Sequence, residues 1–149
     1  NIIFTYPNSD PGSEYIIEKL KQFTKKNKNS KIYKSLGHES FLQFLKNSEC
    51  IIGNSSSGII EAPLLGIKTI NIGERQKGRL LSKTVFQISS HRNKIKNTLR
   101  NILKKQKKQK YQCAYRGKNV AKKIIKAIEI IELNQLNTKR FNDIKFKNG

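Results

Sequence analysis

Short β-branched segments alternate with longer stretches of helical periodicity along most of this chain of 149 residues. The segments that predict strands are Ile2–Tyr6, Lys31–Lys34, Cys50–Ile52, Lys68–Ile72 and Thr84–Ile88. No hairpin turn signal separates them, so consecutive strands are not expected to pair as antiparallel neighbours. The alternation therefore predicts an α/β fold, a Rossmann-like parallel sheet with helices on both faces. The first strand is expected to be buried.

Apolar residues at helical spacing fill most of the gaps between these strands. The second helix is predicted from about His38 to Ser48, and Ser13 is expected to cap the first helix. Gly66 suits a left-handed end to the helix that precedes the fourth strand. The apolar stripes are formed by Tyr15, Ile16, Ile17, Leu20 and Phe23; by Phe41, Leu42, Phe44 and Leu45; by Ile95, Leu99, Ile102 and Leu103; and by Val120, Ile124, Ile125, Ile128 and Ile131.

A turn of small residues follows the third strand, and its sequence is Gly53-Asn54-Ser55-Ser56-Ser57-Gly58-Ile59-Ile60-Glu61. If a helix begins here, its free N–H groups and partial positive charge favour an anion. Hydroxyls can donate to phosphate, and the Glu61 carboxylate can accept from sugar hydroxyls. This pattern predicts a site for a phosphorylated sugar. The alternative is that Ser55 and Ser56 only cap the helix and that Glu61 is a carboxylate favoured by the helix dipole.

Two further polar loops follow predicted strands. Asn8 and Asp10 lie after the first strand, and Arg75 lies after the fourth strand in a loop that also carries Lys77 and Arg79. Ligands bind open α/β sheets at the carboxyl ends of the strands, and arginine pairs with phosphate in two parallel hydrogen bonds. These loops are therefore candidates for the same site. The alternatives are ordinary turn formers and a basic loop that faces water.

Length and composition are those of one domain with its own core. No apolar run is long enough to span a membrane, and the start does not have the pattern of a signal peptide. The chain begins inside a strand-like segment without Met, so we expect a C-terminal piece of a longer protein. Cys50 and Cys113 form no metal-binding spacing, and a cytoplasmic, reducing location is expected.

The formal net charge is +21, with 19 Lys/Arg against 3 Asp/Glu in residues 81–149. Such an excess raises the alternative of a nucleic-acid-binding module. Residues 104–110 carry no interleaved aromatic side chain, however, and no zinc spacing or helix-turn-helix pattern is present. The charge is therefore interpreted as a solvated face, and no nucleic-acid or membrane partner is expected.

The blocks Gly53–Pro63 and Thr69–Arg79, at this separation, closely resemble the UDP-N-acetylglucosamine 2-epimerases, and in particular the hydrolysing branch that supplies sialic-acid-type sugars. The resemblance extends back through residues 7–10 and covers most of residues 1–130. It implies the C-terminal half of a GT-B fold, in which two Rossmann-like domains face each other. Residues 1–133 would be the nucleotide-binding domain without its first strand, and residues 134–149 a loose basic tail.

The resemblance also implies roles for individual residues. Ser55 and Ser56 would hold the diphosphate of UDP, Glu61 the ribose hydroxyls, and Arg75 would lie near the phosphates. The remaining implied contacts are Asn8, which would face the ligand, and the turn at Ser35-Leu36, which would lie by the uracil. No metal or redox cofactor is implied.

The family reaction implied by the resemblance eliminates UDP from UDP-GlcNAc across C1–C2, and water then adds to 2-acetamidoglucal to give N-acetylmannosamine. The carboxylates that handle the C2 proton are expected in a first domain upstream of Asn1. The family histidine is also expected upstream of Asn1, since neither His38 nor His91 occupies its position. The expected partners are UDP or UDP-GlcNAc, the N-terminal domain of the same enzyme and a second subunit in a homodimer. This piece alone is expected to be inactive. The alternative function is that of a GT-B glycosyltransferase domain.

Overall fold

The computed structural model describes residues 1–104 and 113–131 of the chain. The predicted basic tail at 134–149, the predicted domain end at 133 and most of the basic tract at 104–110 lie outside the described residues. The elements, in chain order, are β1 (Ile2–Thr5), α1 (Ser13–Lys26), β2 (Ser30–Tyr33), α2 (His38–Lys46), β3 (Cys50–Gly53), a 3₁₀ turn (Ser56–Gly58), α3 (Glu61–Leu64), β4 (Lys68–Ile72), β5 (Val85–Ile88), α4 (Arg92–Lys104) and α5 (Val120–Ile130).

The strands pair in parallel, which confirms the predicted α/β class, but they form two sheets. One sheet has two strands in the order β1-β2, and the other has three in the order β3-β4-β5. Ile2 pairs with Ser30 in the first sheet, and Cys50 pairs with Lys68 in the second. Since β1 and β3 do not pair with each other, each of them is an edge strand.

The prediction that the first strand is buried is wrong. Ile2 and Ile3 are 49% and 40% exposed. Helix α1 covers one face of the strand, where Phe4 packs edge-to-face on Phe23 with 5.8 Å between the ring centres. Successive side chains of a strand point to opposite faces, so Ile3 and Thr5 lie on the face that α1 leaves open.

The core lies against β3 and β4. Leu45, Ala62 and Ile67 form a buried cluster. Phe41, Ile51 and Leu65 pack around this cluster, while Ile59 and Ile70 are fully buried nearby in sequence. Helices α2 and α3 are therefore fixed to the three-stranded sheet, and this fixes the turn between β3 and α3.

Gly12, rather than Ser13, occupies the N-cap position of α1, and no side chain caps this helix. The prediction that Ser13 caps α1 is therefore wrong. Gly12 has a φ of 85°, a conformation that glycine adopts without steric penalty, and the Ser13 N–H donates to the Asp10 carbonyl at 3.0 Å. The expected left-handed residue at the end of α3 is confirmed, since Gly66 has a φ of 74°.

The chain divides into two compact units, residues 1–115 and residues 116–149. The second unit contains α5, whose valine and isoleucine side chains are between 50% and 71% exposed. Within the described residues, every helix is too short or too polar to cross a bilayer. Among the described residues of this unit, the exposed large apolar side chains are those of Val120, Ile124, Ile125, Ile128, Ile130 and Ile131.

Candidate functional site

The turn after β3 differs from the predicted helix start. Ser56–Gly58 form one 3₁₀ turn, and α3 is a separate helix of four residues. One cause is that the Gly58 carbonyl is occupied by the Thr69 hydroxyl at 2.6 Å. A second is that Pro63 has no N–H to extend the helical ladder backwards. The expected helix start at the serines is therefore replaced by a 3₁₀ turn, and hydrogen-bond donors of this turn must supply the attraction for an anion.

Such donors are present at Ser55 and Ser56. Their backbone N–H groups donate to no acceptor among the described residues. The Ser55 Oγ accepts from the Ser57 N–H at 3.3 Å, so the expected capping role is also present. Accepting that bond leaves the Ser55 hydroxyl proton available, and Ser55 is exposed. The turn thus presents two unused N–H groups and hydroxyl donors beside them.

Close packing against β4 fixes the far end of this turn. A Cβ atom at Gly58 would lie 2.6 Å from the Thr69 Cγ2 atom, which is nearer than real Cβ atoms approach. Thr69 is 2% exposed and donates to the Gly58 carbonyl. Glycine is therefore required here for close approach, and a buried hydroxyl holds the turn against the strand.

Glu61 is the first residue of α3, six residues after Ser55. Its Oε2 atom is buried and has no hydrogen-bond partner among the described residues. A buried carboxylate oxygen without a donor is unfavourable by about 1–3 kcal/mol or more. Rotation about the terminal side-chain bond is soft, so this oxygen can turn towards a hydroxyl that arrives with a ligand.

The loop from Gly73 to Arg79 reaches the same turn. The Arg75 Nη1 atom donates to the Asn54 carbonyl oxygen at 3.2 Å, and the Gln76 Nε2 atom donates to the same oxygen at 2.8 Å. The structure therefore brings Arg75 to the turn that carries Ser55. Arg75 is exposed and donates to no other described residue, so most of its guanidinium N–H groups remain available.

Sequence reasoning missed Gln76, which is only 5% exposed. In the sequence it is one polar residue between two basic ones, and no local signal marks it as buried. Its partner carbonyl lies 22 residues earlier in the chain. The only available hint was that the two blocks occur together at a fixed separation.

Side-chain amides of Asn71, which is buried, and Gln87, which is exposed, fix the start of this loop. The Asn71 amide donates to the Gln87 Oε1 atom at 2.5 Å, and the Gln87 amide donates to the Gly73 carbonyl. Asn71 is 1% exposed. The end of β4, the end of β5 and the first residue of the loop are thus joined, so the position of Arg75 is set by the sheet.

A cavity of about 300 Å³ lies at the carboxyl ends of β1 and β2. Leu36, which the resemblance implies to lie by the uracil, lines this cavity, and so does His38. Asn8 is exposed in the loop after β1 and makes no hydrogen bond to Ser55, Glu61 or Arg75. The other lining residues are Thr5, Tyr6, Lys34, Ser35, Gly37 and Phe41.

Helix α2 connects this cavity with the serine turn. Phe41 lines the cavity and also packs against the cluster that contains Ala62, the neighbour of Glu61 in the chain. Helix α2 therefore contacts both the cavity at the two-stranded sheet and the core beneath the serine turn at the three-stranded sheet.

The sequence of the chain matches known proteins. The model of the UDP-N-acetylglucosamine 2-epimerase family matches residues 1–129. "Polysialic acid biosynthesis protein P7" of Escherichia coli is 43% identical over 95 residues, which are 64% of this chain and 24% of that protein. "GDP/UDP-N,N'-diacetylbacillosamine 2-epimerase (hydrolyzing)" of Campylobacter jejuni is 40% identical over 87 residues, 58% of this chain and 23% of that protein.

"UDP-N-acetylglucosamine 2-epimerase" of Neisseria meningitidis serogroup B is 40% identical over 86 residues, 58% of this chain and 22% of that protein. The matched stretches thus cover about a quarter of the length of these relatives. With a family match over residues 1–129 and parallel α/β architecture, the chain belongs to the UDP-N-acetylglucosamine 2-epimerase family, which is of the GT-B type.

Proposed function

We propose that this chain is the UDP-binding part of a hydrolysing UDP-N-acetylglucosamine 2-epimerase. The observation that carries the proposal is the buried, unpartnered Glu61 Oε2 atom, which lies six and five residues after two serines, Ser55 and Ser56, with unused N–H groups. A nucleoside diphosphate matches this pair of features, since it offers phosphate oxygens to the serines and a ribose diol to the carboxylate.

The similar protein of Campylobacter jejuni is named as a hydrolysing 2-epimerase, which favours this reaction over sugar transfer by a glycosyltransferase. In the proposed reaction UDP leaves C1 as the C2 proton is removed, and water then adds to the resulting 2-acetamidoglucal. The part of this reaction assigned to this chain is stabilisation of the leaving group, UDP. Ser55, Ser56 and Arg75 neutralise the charge that grows on the diphosphate, and fixed donors are effective at such a task.

The cavity lined by Leu36 would take the uracil, and Asn8 would approach the ligand from the loop after β1. The groups that handle the C2 proton would come from a further domain of the same polypeptide. The active enzyme would be a cytoplasmic homodimer that releases N-acetylmannosamine, and this chain by itself would not turn over.

We also propose that the nucleotide-binding domain contains one more strand, which lies between β1 and β3. Those strands are edges of two separate parallel sheets. A strand supplied by the longer polypeptide would join the sheets into one with β1 and β3 on either side of it. This arrangement is supported by the general burial of parallel sheets and by the cost of open edges.

Calorimetry with UDP tests the role of the serines. The double variant Ser55→Ala with Ser56→Ala is expected to weaken UDP binding by at least about tenfold, because hydrogen bonds to charged groups contribute about 1.5–3 kcal/mol. Ser40→Ala, an exposed serine on α2, is the matched control and should bind UDP as the unsubstituted chain does. Unchanged UDP affinity in the double variant would refute hydrogen bonding of these two hydroxyls to the phosphates.

A second comparison tests Glu61. Glu61→Gln should weaken UDP binding but leave the affinity for inorganic pyrophosphate unchanged, because only UDP carries the ribose diol. Glu14→Gln is the control, since Glu14 is also a carboxylate in the first turn of a helix. Equal losses for UDP and pyrophosphate would remove the ribose assignment.

A further inference from the structure

One peptide group in the serine turn is held from outside the turn. The carbonyl oxygen of Asn54 accepts from the Gln76 amide at 2.8 Å and from the Arg75 guanidinium at 3.2 Å. The N–H group of Ser55 belongs to the same peptide unit as this carbonyl. In a planar trans peptide the two groups point in opposite directions. Whatever holds the Asn54 oxygen therefore also sets the direction of the Ser55 N–H.

The two donors differ in what they can do when a ligand arrives. Arg75 is exposed, and its long side chain can turn to a phosphate. Gln76 is 5% exposed, and its amide is packed in place. The shorter bond and the buried position make Gln76 the donor that stays on the Asn54 carbonyl.

The buried state of the Gln76 amide also fixes its orientation. Its Oε1 atom is buried without a partner. Turning the amide over would place that oxygen against the Asn54 carbonyl and leave two acceptors facing each other. The only favourable arrangement is the one in which Nε2 donates to the turn.

We propose that Gln76 is a positioning residue of the nucleotide site, which holds the Asn54 peptide so that the Ser55 N–H points away from the Gly73–Arg79 loop and towards the bound diphosphate. This inference rests on the proposed function, and it adds a residue that touches no ligand. It acts through the peptide that joins Asn54 to Ser55.

Calorimetry on the full chain tests this with Gln76→Met, which has a similar length but no amide donor. The affinities for UDP and inorganic pyrophosphate are expected to fall roughly three- to tenfold, which is the loss of about one neutral hydrogen bond. Binding of uridine, which has no phosphate, should stay unchanged. The control is Gln22→Met on the exposed face of α1, which should leave all three affinities unchanged.

NMR of the same variants without ligand gives a second, independent measurement. Gln76→Met should shift the Asn54 carbonyl ¹³C and the Ser55 amide resonances, whereas Gln22→Met should not. Unchanged Asn54 and Ser55 resonances, unchanged UDP affinity, or an equal loss for uridine would each overturn the positioning role while leaving the proposed function in place. Failure of the unsubstituted chain to bind UDP would overturn both.

Discussion

Gly58 and Thr69 show how a single contact shapes the serine turn. The Thr69 hydroxyl holds the Gly58 carbonyl, and its methyl group fills the space in which any side chain at position 58 would lie. The backbone at Gly58 is not in the left-handed region, so the requirement for glycine is a matter of space alone. The two residues therefore act as a pair.

Gly58→Ala is expected to lower the free energy of unfolding by about 1–3 kcal/mol, because the new methyl group would overlap Thr69 Cγ2. Thr69→Ser keeps the hydroxyl and removes that methyl, so Gly58→Ala should cost clearly less in a Thr69→Ser background. Urea denaturation of the four proteins of this cycle measures the coupling. Additive effects would show that the steric contact does not determine the choice of glycine.

Cys50 at the start of β3 gives the chain an alkaline dependence of stability. Burial raises the pKa of its thiol, nearby Glu49 raises it further, and Lys68 partly lowers it. The folded state therefore holds the thiol proton more tightly than the unfolded state. This contribution to stability is complete below the unfolded pKa of about 8.5 and is lost as pH rises from there through the raised folded value.

The urea midpoint should therefore fall as pH rises above about 8.5, and Cys50→Ala should make this fall shallower. Cys113→Ala serves as the comparison for removal of a buried thiol. An equally steep fall in Cys50→Ala would mean that other groups cause the alkaline loss.

At the scale of elements, the edge of β1 that is not paired with β2 exposes backbone N–H groups of β1. The N–H groups of Ile2 and Tyr6 donate to the carbonyls of Asn29 and Tyr33 on the β2 side. Backbone groups alternate between the two sides of a strand, so the N–H groups of Ile3 and Thr5 point to the open edge. A strand inserted between β1 and β3 would have to accept from them.

Hydrogen exchange tests the inserted strand. The Ile3 and Thr5 amides should exchange quickly in this chain and become protected in the longer polypeptide. The Ile2 and Tyr6 amides, which already donate to the β2 side, provide an internal control and should be protected in both proteins. Rapid exchange of Ile3 and Thr5 in both proteins would contradict the proposed strand order.

The elements that the sequence pattern predicts well are those set by local residues. Strand β4 begins and ends where its β-branched run does, at Lys68 and Ile72, and α2 begins at the predicted His38. The split between the 3₁₀ turn and α3 was not predictable in this way, because it depends on a hydroxyl 11 residues away from Gly58. Burial of the first strand was also predicted wrongly, because pattern alone does not reveal whether both faces of a strand are covered.

At the scale of the whole molecule, the sequence predicted the parallel architecture and the family but not how the site is held together. Ser55, Glu61 and Arg75 were predicted as site residues from their chemistry, since hydroxyls, a carboxylate and a guanidinium follow predicted strands. Gln76 could not be found, because an amide becomes buried only through the fold around it. The local sequence pattern thus indicates which side chains are available to bind a ligand. Contacts between residues distant in sequence determine how those side chains are oriented.

Two further features of the whole molecule are the positive charge of residues 81–149 and the exposed apolar side chains of α5 in the second unit. Residues 81–149 hold most of the positive charge, and α5 carries an exposed apolar face. Lysines at 122, 123 and 126 lie among the isoleucines of that helix. Burial of such a face contributes about 25 cal/mol of stabilisation per Å² of apolar area. Under the proposed function, this burial would stabilise contact between α5 and the further domain.

The shared oxygen of Asn54 has a consequence for protein engineering. Two side chains of the Gly73–Arg79 loop donate to one carbonyl oxygen of the Gly53–Gly58 segment. The two segments should therefore be exchanged together when sequences of relatives are recombined. A chimaera between relatives that transplants only one of them separates donor from acceptor, whereas one that transplants both keeps the pair intact. Libraries that shuffle this family should therefore place no crossover point between Gly53 and Arg79.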